Sequence, residues 1–357
     1  MNTVNIDLRR KKIFLLKADV KTSKDILIEL KEKRFLNLQN FIKDIDKISY
    51  TLWGETPISR DFIPAGTFHA IFKVQIKRNN YYFFKFKIFN QKEIAYAFII
   101  NKFINKILIK NNIPISPLIY TDITKTLSNY DFEITSQADG FSIASCEDRE
   151  TQFIKPTILE NLGKTLKKIH NLNFSGYGPI AINSLLNQNK FLGLFNSWEE
   201  YLFLNFEEHI NYCLINKAIT QKEKETILVI AKNINLIVKN TQSCLLHGDL
   251  SGSNIFTDGF NITAIIDWED CILGDPIFDI ALWGTFYRNY LRDFMINGYT
   301  NNTPLTHKQE IKYWFYYLRI ALCKTAHRDK FEFKDNPNRP PPSLRIQNAL
   351  SHIQKLF

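Results

Sequence analysis

His247-Gly248-Asp249-Leu250-Ser251-Gly252-Ser253-Asn254 is the stretch on which the reading of this chain turns. It runs into Ile255-Phe256-Thr257, then Asp258-Gly259, then an apolar run ending Ile265-Ile266-Asp267-Trp268. Asp-Gly between two apolar runs signals a short hairpin. The hairpin returns Asp267 beside the loop that carries Asp249 and Asn254, so three oxygen donors meet at one point. Hard oxygen ligands of this kind suit Mg2+. Phosphoryl transfer needs such a set: one carboxylate to orient an acceptor hydroxyl, and a second carboxylate with an amide oxygen to hold Mg2+ against phosphates. Asp, Gly, Ser and Asn also favour turns for their own reasons. A turn alone does not require the fixed spacing, the apolar flanks or the downstream Asp.

Outward from this stretch, Asp275-Pro276 reads as an N-cap followed by Pro in the first helical position, opening a helix through Phe286. Upstream, Ile158–His170, Trp198–Ile215 and Gln221–Lys239 have helical apolar spacing. Downstream, a helix is expected around Gln309–Thr325 and a last one to Leu356, with the Pro-rich 335–343 between them. Nearer the N-terminus the period changes. Thr67–Ile76 and Tyr81–Ile88 are apolar and aromatic runs around Lys77-Arg78-Asn79-Asn80, a hairpin pattern. A helix over Gln91–Lys110 follows, then a strand over Asp131–Ser136. Before all this, Ile13–Leu16 is compatible with a short strand, and Thr22 to Ile48 spaces its apolar residues as one or two amphipathic helices.

Three segments make the pattern resemble a known family: HGDLSGSNIF at 247–256, IIDWED at 265–270 and GDPIFDIA at 274–281. Together with KKIHNLNFSGYG at 167–178, they resemble the aminoglycoside phosphotransferase and choline kinase group of small-molecule kinases. The resemblance covers roughly residues 56–325. It implies an α+β, two-lobed protein-kinase-like fold, with a small, mostly antiparallel β N-lobe and a larger helical C-lobe. The expected division is an N-terminal extension, partly helical, at 1–55, a nucleotide-binding N-lobe at 56–142, and a helical C-lobe at 143–357.

Carried over position by position, the resemblance makes Asp249 the catalytic base and Asn254 and Asp267 the ligands of Mg2+. His247 would brace the loop, with Asp275 and Asp279 holding the loop and the helix that follows. ATP is the expected phosphate donor. Gly66, in Pro64-Ala65-Gly66-Thr67-Phe68-His69, occupies the place of the loop over the phosphates. Lys85 fits the phosphate lysine; Lys87 lies two residues on and shares its face of the strand, so spacing does not separate them. Glu93 is the natural ion-pair partner for that lysine, although an acid in a first helical turn also suits the helix dipole. Backbone groups around Ser136 to Ala138 would receive adenine. The acceptor is a small molecule with a hydroxyl, an aminoglycoside-type antibiotic or related natural product, or another metabolite such as choline, a sugar or a hydroxylated amino acid. Glu199, Glu200, Glu207 and Glu208 could receive a polycation, and a solvated helix face would explain them as well. A catalytically silent kinase-fold binding protein is the alternative outside enzymes.

Composition agrees with a globular chain of one large or two ordinary domains: 357 residues, 45% hydrophobic, 14% aromatic and 23% charged. The net charge of +10 is spread over Lys throughout the chain and reads as a general basic surface, with no nucleic acid or membrane partner expected. Cys146, Cys213, Cys244, Cys271 and Cys323 are odd in number and never paired as CxxC. That argues against a disulfide framework or zinc site and for a reducing cytoplasm. No signal peptide is read at Met1 to Lys12.

Overall fold

The computed structural model describes residues 3–15, 24–64, 69–88, 95–146, 154–331 and 341–357. They fall into two compact units, one within Lys21–Asp139 and one joining Asn2–Val20 to Gly140–Phe357.

The first unit is built on a five-stranded antiparallel sheet: β1 (Ser59–Ile63), β2 (His69–Lys77), β3 (Asn80–Lys87), β4 (Leu118–Asp122) and β5 (Phe132–Ser136), in the order β1-β2-β3-β5-β4. Alternation along β2 and β3 puts Ala70, Phe72, Val74, Ile76, Phe84 and Phe86 on one buried face. Helix Leu38–Trp53 lays Phe41, Ile45 and Ile48, spaced four and three apart, onto that face. Within the first 55 residues, helix Leu38–Trp53 therefore belongs to the core of this sheet, whereas helix Thr3–Arg10 falls in the second unit. Lys85 and Lys87 point to the opposite face.

The second unit is mostly helical. Helix Pro156–His170 crosses helix Asn289–Thr300 very closely. A Cβ on Gly163 would lie 2.0 Å from Met295 O, and one on Gly298 would lie 1.9 Å from Glu160 O, so only glycine allows this approach. Small sheets hold the functional loops. Strand Ile272–Gly274 pairs with Cys244–Leu246 on one side and Tyr177–Ile180 on the other. The Asp258-Gly259 hairpin forms, pairing Ile255–Thr257 with Ile262–Ile265.

Three readings of local structure need correction. Ile13–Leu15 is not a strand. Phe14 and its neighbours are buried among helices of the second unit, where the Leu15 N–H donates to the Tyr201 hydroxyl at 3.3 Å; Leu16 lies outside the described residues. The helix expected over Trp198–Ile215 is broken into Trp198–Leu202 and Phe206–Ile215, with Asn205 in the left-handed region. The buried Arg319 explains the break: it donates to the Leu202 carbonyl at 2.7 Å and the Leu204 carbonyl at 2.6 Å, taking acceptors that a continuing helix would use. Helix Asn289–Thr300 was not foreseen; its buried face includes Arg292, and this polar position obscures the apolar period. Among the described residues no helix is long and apolar enough to cross a membrane.

Candidate active site

The loop at 247–254 starts where strand Cys244–Leu246 ends. The backbone N–H of His247 donates to Asp279 Oδ2 at 2.6 Å, and that of Gly248 to Oδ1 at 3.1 Å. Asp279 is fully buried, and its Oδ2 also lies 3.4 Å from His170 Nε2. His170 Nδ1 is in turn 3.1 Å from the Tyr299 hydroxyl. A buried carboxylate needs such partners, and this one spends them on holding the loop. Asp275 serves the scaffold in the same way. It caps the Ile277 N–H at 3.0 Å and accepts from Lys312 Nζ at 2.6 Å and from the Tyr316 hydroxyl at 2.9 Å.

The His247 ring ties the loop to the hairpin. Its Nδ1 accepts the Asp249 N–H at 3.2 Å, so Nε2 carries the proton that it donates to the Ile266 carbonyl, 2.8 Å away. The Ile266 N–H donates to the Asn254 carbonyl at 2.9 Å. Both polar groups of Ile266 are thus fixed to the loop, and the next residue, Asp267, is carried to its side. Asp267 adopts φ 67° and ψ 54°, left-handed backbone that Asp tolerates better than most residues. Asn254 Nδ2 donates to the Asp249 carbonyl at 2.9 Å and lies 3.4 Å from its Oδ2. With the NH2 turned to Asp249, the Asn254 Oδ1 is the atom left for a cation. One carboxylate and one amide oxygen fit Mg2+, which usually takes one or two protein carboxylates and completes its shell with phosphate and water. Among the described residues, no three His, Cys, Asp or Glu side chains converge as a closed metal cage.

In the first unit, Lys85 and Lys87 have different surroundings. Lys85 Nζ lies 3.9 Å from Glu133 Oε1, across from it in the β3–β5 register. Asn101 Nδ2 donates to both Glu133 oxygens, at 3.0 and 3.1 Å. Lys87 Nζ is 4.0 Å from Asp131 Oδ2, whose carboxyl is pushed above the ordinary range by burial, with Lys87 drawing it back. Sequence reasoning missed Glu133 as a partner of Lys85. Its signal was there: an acid between Phe132 and Ile134 in an otherwise apolar strand. Glu93 and Gly66 lie outside the described residues.

Around the expected adenine position, the Ser136 N–H donates to the Pro117 carbonyl at 3.0 Å, and its carbonyl accepts from the Ser116 hydroxyl. Both backbone groups of Ser136 are therefore engaged, which argues against that residue as the adenine partner. Ala138 is buried, 7% exposed, and its backbone groups make no hydrogen bond among the described residues.

Of the four acids considered for a polycation, Glu200, Glu207 and Glu208 are exposed and Glu199 is half-buried. All four lie in first helical turns. Glu200 Oε2 accepts the Asn196 N–H at 3.2 Å, while its own N–H donates to the Ser197 hydroxyl at 3.2 Å, a capping arrangement.

Comparisons with known proteins bear on the fold and the family. Hygromycin-B 4-O-kinase of Escherichia coli is 20% identical over 168 residues; the match spans 45% of this chain and 45% of the kinase, less than half the length of that curated relative. Among solved structures, a thermostable mutant of aminoglycoside phosphotransferase APH(4)-Ia, in ternary complex with AMP-PNP and hygromycin B, superposes with a TM-score of 0.60 at 15% identity, over 87% of this chain and 98% of that one. A choline/ethanolamine kinase family protein from Mesorhizobium loti superposes with a TM-score of 0.57 at 12% identity, over 89% and 94%. These likenesses show the two-lobed kinase-like α+β fold. The model of the phosphotransferase enzyme family matches residues 74–301, well over half of the sequence, and the chain belongs to that family of enzymes.

Proposed function

We propose that this phosphotransferase moves the γ-phosphate of ATP to a hydroxyl of a small molecule, an aminoglycoside-type antibiotic or a related natural product. The observation that carries the reading is the double tether of Ile266 to His247 and Asn254, which holds Asp267 against the loop bearing Asp249. Asp249 orients the acceptor hydroxyl and takes its proton as the new O–P bond forms and the bond to the leaving ADP breaks. Asn254 Oδ1 and the Asp267 carboxylate are the ligands assigned to Mg2+. Bound there, Mg2+ would neutralise charge on the phosphates and fix their orientation. Lys85, kept in place by Glu133, is assigned to the phosphates. The Ala138 backbone is assigned to adenine in preference to Ser136. Gly66 and Glu93 keep the roles of phosphate-loop residue and second partner of Lys85. The five scattered cysteines suit a reducing cytoplasm.

A second reading, a neutral acceptor such as a sugar, is favoured by the exposed, first-turn positions of Glu200, Glu207 and Glu208. Incubating the purified chain with labelled ATP, Mg2+ and a panel of hydroxyl acceptors tests both readings. A product heavier than its acceptor by one phosphate is expected. Nucleotide binding without product across aminoglycosides, macrolides, choline, amino acids and sugars would instead point to a silent binding protein.

A further inference from the structure

The N-terminal helix Thr3–Arg10 delivers two buried charges into the second unit. Asp7 caps the helix Ile182–Gln188, accepting the N–H groups of Ile182 at 2.8 Å and Asn183 at 2.9 Å. Arg10 is 1% exposed and donates through Nη1 to the Ile180 carbonyl. The sheet register shows where that carbonyl lies. Pro179 pairs with Ile272 and Gly178 with Leu273, so one step further along the same antiparallel ladder Ile180 faces Cys271. Cys271 and Asp270 close the turn that begins at Asp267.

The other side of this joint is the catalytic loop. Leu246 pairs with Ile272, and a Cβ on Gly248 would lie only 2.1 Å from Asp270 O. The Asp270–Cys271 segment is therefore wedged between the loop that carries Asp249 and the strand end on which Arg10 sits. Asp270 is itself buried, 8% exposed. A guanidinium and a carboxylate buried at one joint stabilise each other and are costly apart. The charges of both act on the one Cys271 thiol: burial pushes its proton affinity up most, Arg10 opposes that push and Asp270 adds to it.

We propose that Arg10 is a positioning residue for the metal turn: it pairs with the Asp270 carboxylate and fixes the joint at which the turn after Asp267 meets the catalytic loop. The inference rests on the kinase reading for its effect on Mg2+, and on the fold alone for its effect on the joint. It gives the N-terminal segment, which lies outside the family match at 74–301, a part in the chemistry of the second unit.

Two measurements on the full chain test it. Hydrogen exchange of the nucleotide-free protein should show faster exchange at the amides of 247–249 and 268–271 in Arg10→Met, while the Ile182 and Asn183 amides capped by Asp7 stay protected. Calorimetric binding of AMP-PNP at varied Mg2+ should show the half-saturating Mg2+ concentration raised about tenfold or more, as loss of a group supporting metal ligands does. Arg10→Lys should recover most of that loss. If Arg10→Met does not fold, Arg10→Met with Asp270→Leu removes both charges together, and the same two measurements are made on it. A folded variant with wild-type exchange at the joint and wild-type Mg2+ dependence overturns the proposal. Failure of the wild-type chain to bind AMP-PNP with Mg2+ would count against the kinase reading; the exchange pattern then still decides the role of Arg10.

Discussion

His247 Nε2 lies 2.8 Å from the carbonyl oxygen of Ile266, nineteen positions further along the chain. One imidazole thereby joins the loop at 247–254 to the strand end that presents Asp267, while its Nδ1 receives the Asp249 N–H. The ring also packs on Trp268 with centroids 4.6 Å apart. A lysine or arginine could not supply both an acceptor and a donor from one rigid ring. The ring thereby fixes the backbone at Asp249 and beside Asp267.

The first prediction concerns Asp249. Asp249→Asn retains the shape of the side chain and the backbone contacts to Asn254, so fold and nucleotide affinity should persist. Turnover should fall by roughly a hundredfold or more, the range that loss of a general base gives. Steady-state kinetics beside a melting curve decides it; near-normal turnover removes Asp249 from the role.

Asp267 should behave differently. On the proposed reading, removing its carboxylate would take away one of the two oxygens assigned to Mg2+. Asp267→Ala should weaken Mg2+-dependent ATP binding more than about tenfold as well as lower turnover. Calorimetry showing the same affinity at matched Mg2+ would reject the assignment. Asp249→Asn and Asp267→Ala thus separate proton transfer from metal binding.

Much of this arrangement was legible because it is local. The loop, the Asp258-Gly259 turn and Asp267 lie within twenty-one residues, and a hairpin signal is enough to bring them together. What was not legible depends on long-range register. Glu133 meets Lys85 only because β5 lies beside β3. The backbone of Ser136 is engaged by Ser116 and Pro117, which no local pattern links to it. The break between Trp198–Leu202 and Phe206–Ile215 is made by Arg319, more than a hundred positions away. The embedding of Phe14, under the Arg319 guanidinium at 3.6 Å, has no sequence period at all.

Lys85 and Lys87 can now be separated by experiment. Lys85→Met should raise the KM for ATP; Glu133, also buried, loses a cation but keeps both Asn101 hydrogen bonds, so a smaller loss of stability should accompany it. Lys87→Met removes the larger of two cationic influences on the buried Asp131, with Lys125 remaining, so it should lower stability by about 1–3 kcal/mol with little change in the KM for ATP. Urea denaturation and ATP titrations on the two variants check this; a reversed pattern would move the phosphate role to Lys87.

A pH dependence follows from His209. Burial, with the positive Arg319 beside it, lowers its pKa from the ordinary 6.5 to about 3. Its Nδ1 lies 3.0 Å from Arg319 Nη1 and serves as the acceptor. Between pH 6.5 and about 3 the unfolded chain binds a proton that the folded chain refuses. This contribution to stability is complete above 6.5 and is lost progressively as pH falls, reaching the order of a few kcal/mol. His209→Gln, which keeps an acceptor for Arg319 but has no titrating proton, should flatten the slope between pH 6.5 and 5. Parallel pH profiles of unfolding for variant and wild type would reject the role of His209.

The last prediction concerns the acceptor. Carboxylates that replace the water around an ammonium group must be partly desolvated themselves; such charge-assisted contacts are worth about 1.5–3 kcal/mol each. Exposed carboxylates are screened and worth about 0–1 kcal/mol. Glu200, Glu207 and Glu208 are of the exposed kind, and Glu200 is engaged in capping its own helix. First-turn acids stabilise a helix through its dipole, by about 0.3–1 kcal/mol each. Neutralising Glu199, Glu200, Glu207 and Glu208 together should therefore lower the melting temperature and change the acceptor KM by less than about tenfold, equivalent to less than about 1.4 kcal/mol. The KM for ATP should not move. If the acceptor is an aminoglycoside and its KM rises a hundredfold or more in the quadruple variant, these helix ends are the cation site. A small change on a cationic acceptor places its binding groups elsewhere. The same small change with activity only on a neutral sugar or macrolide supports the second reading, and in both cases the role of Asp249 stands.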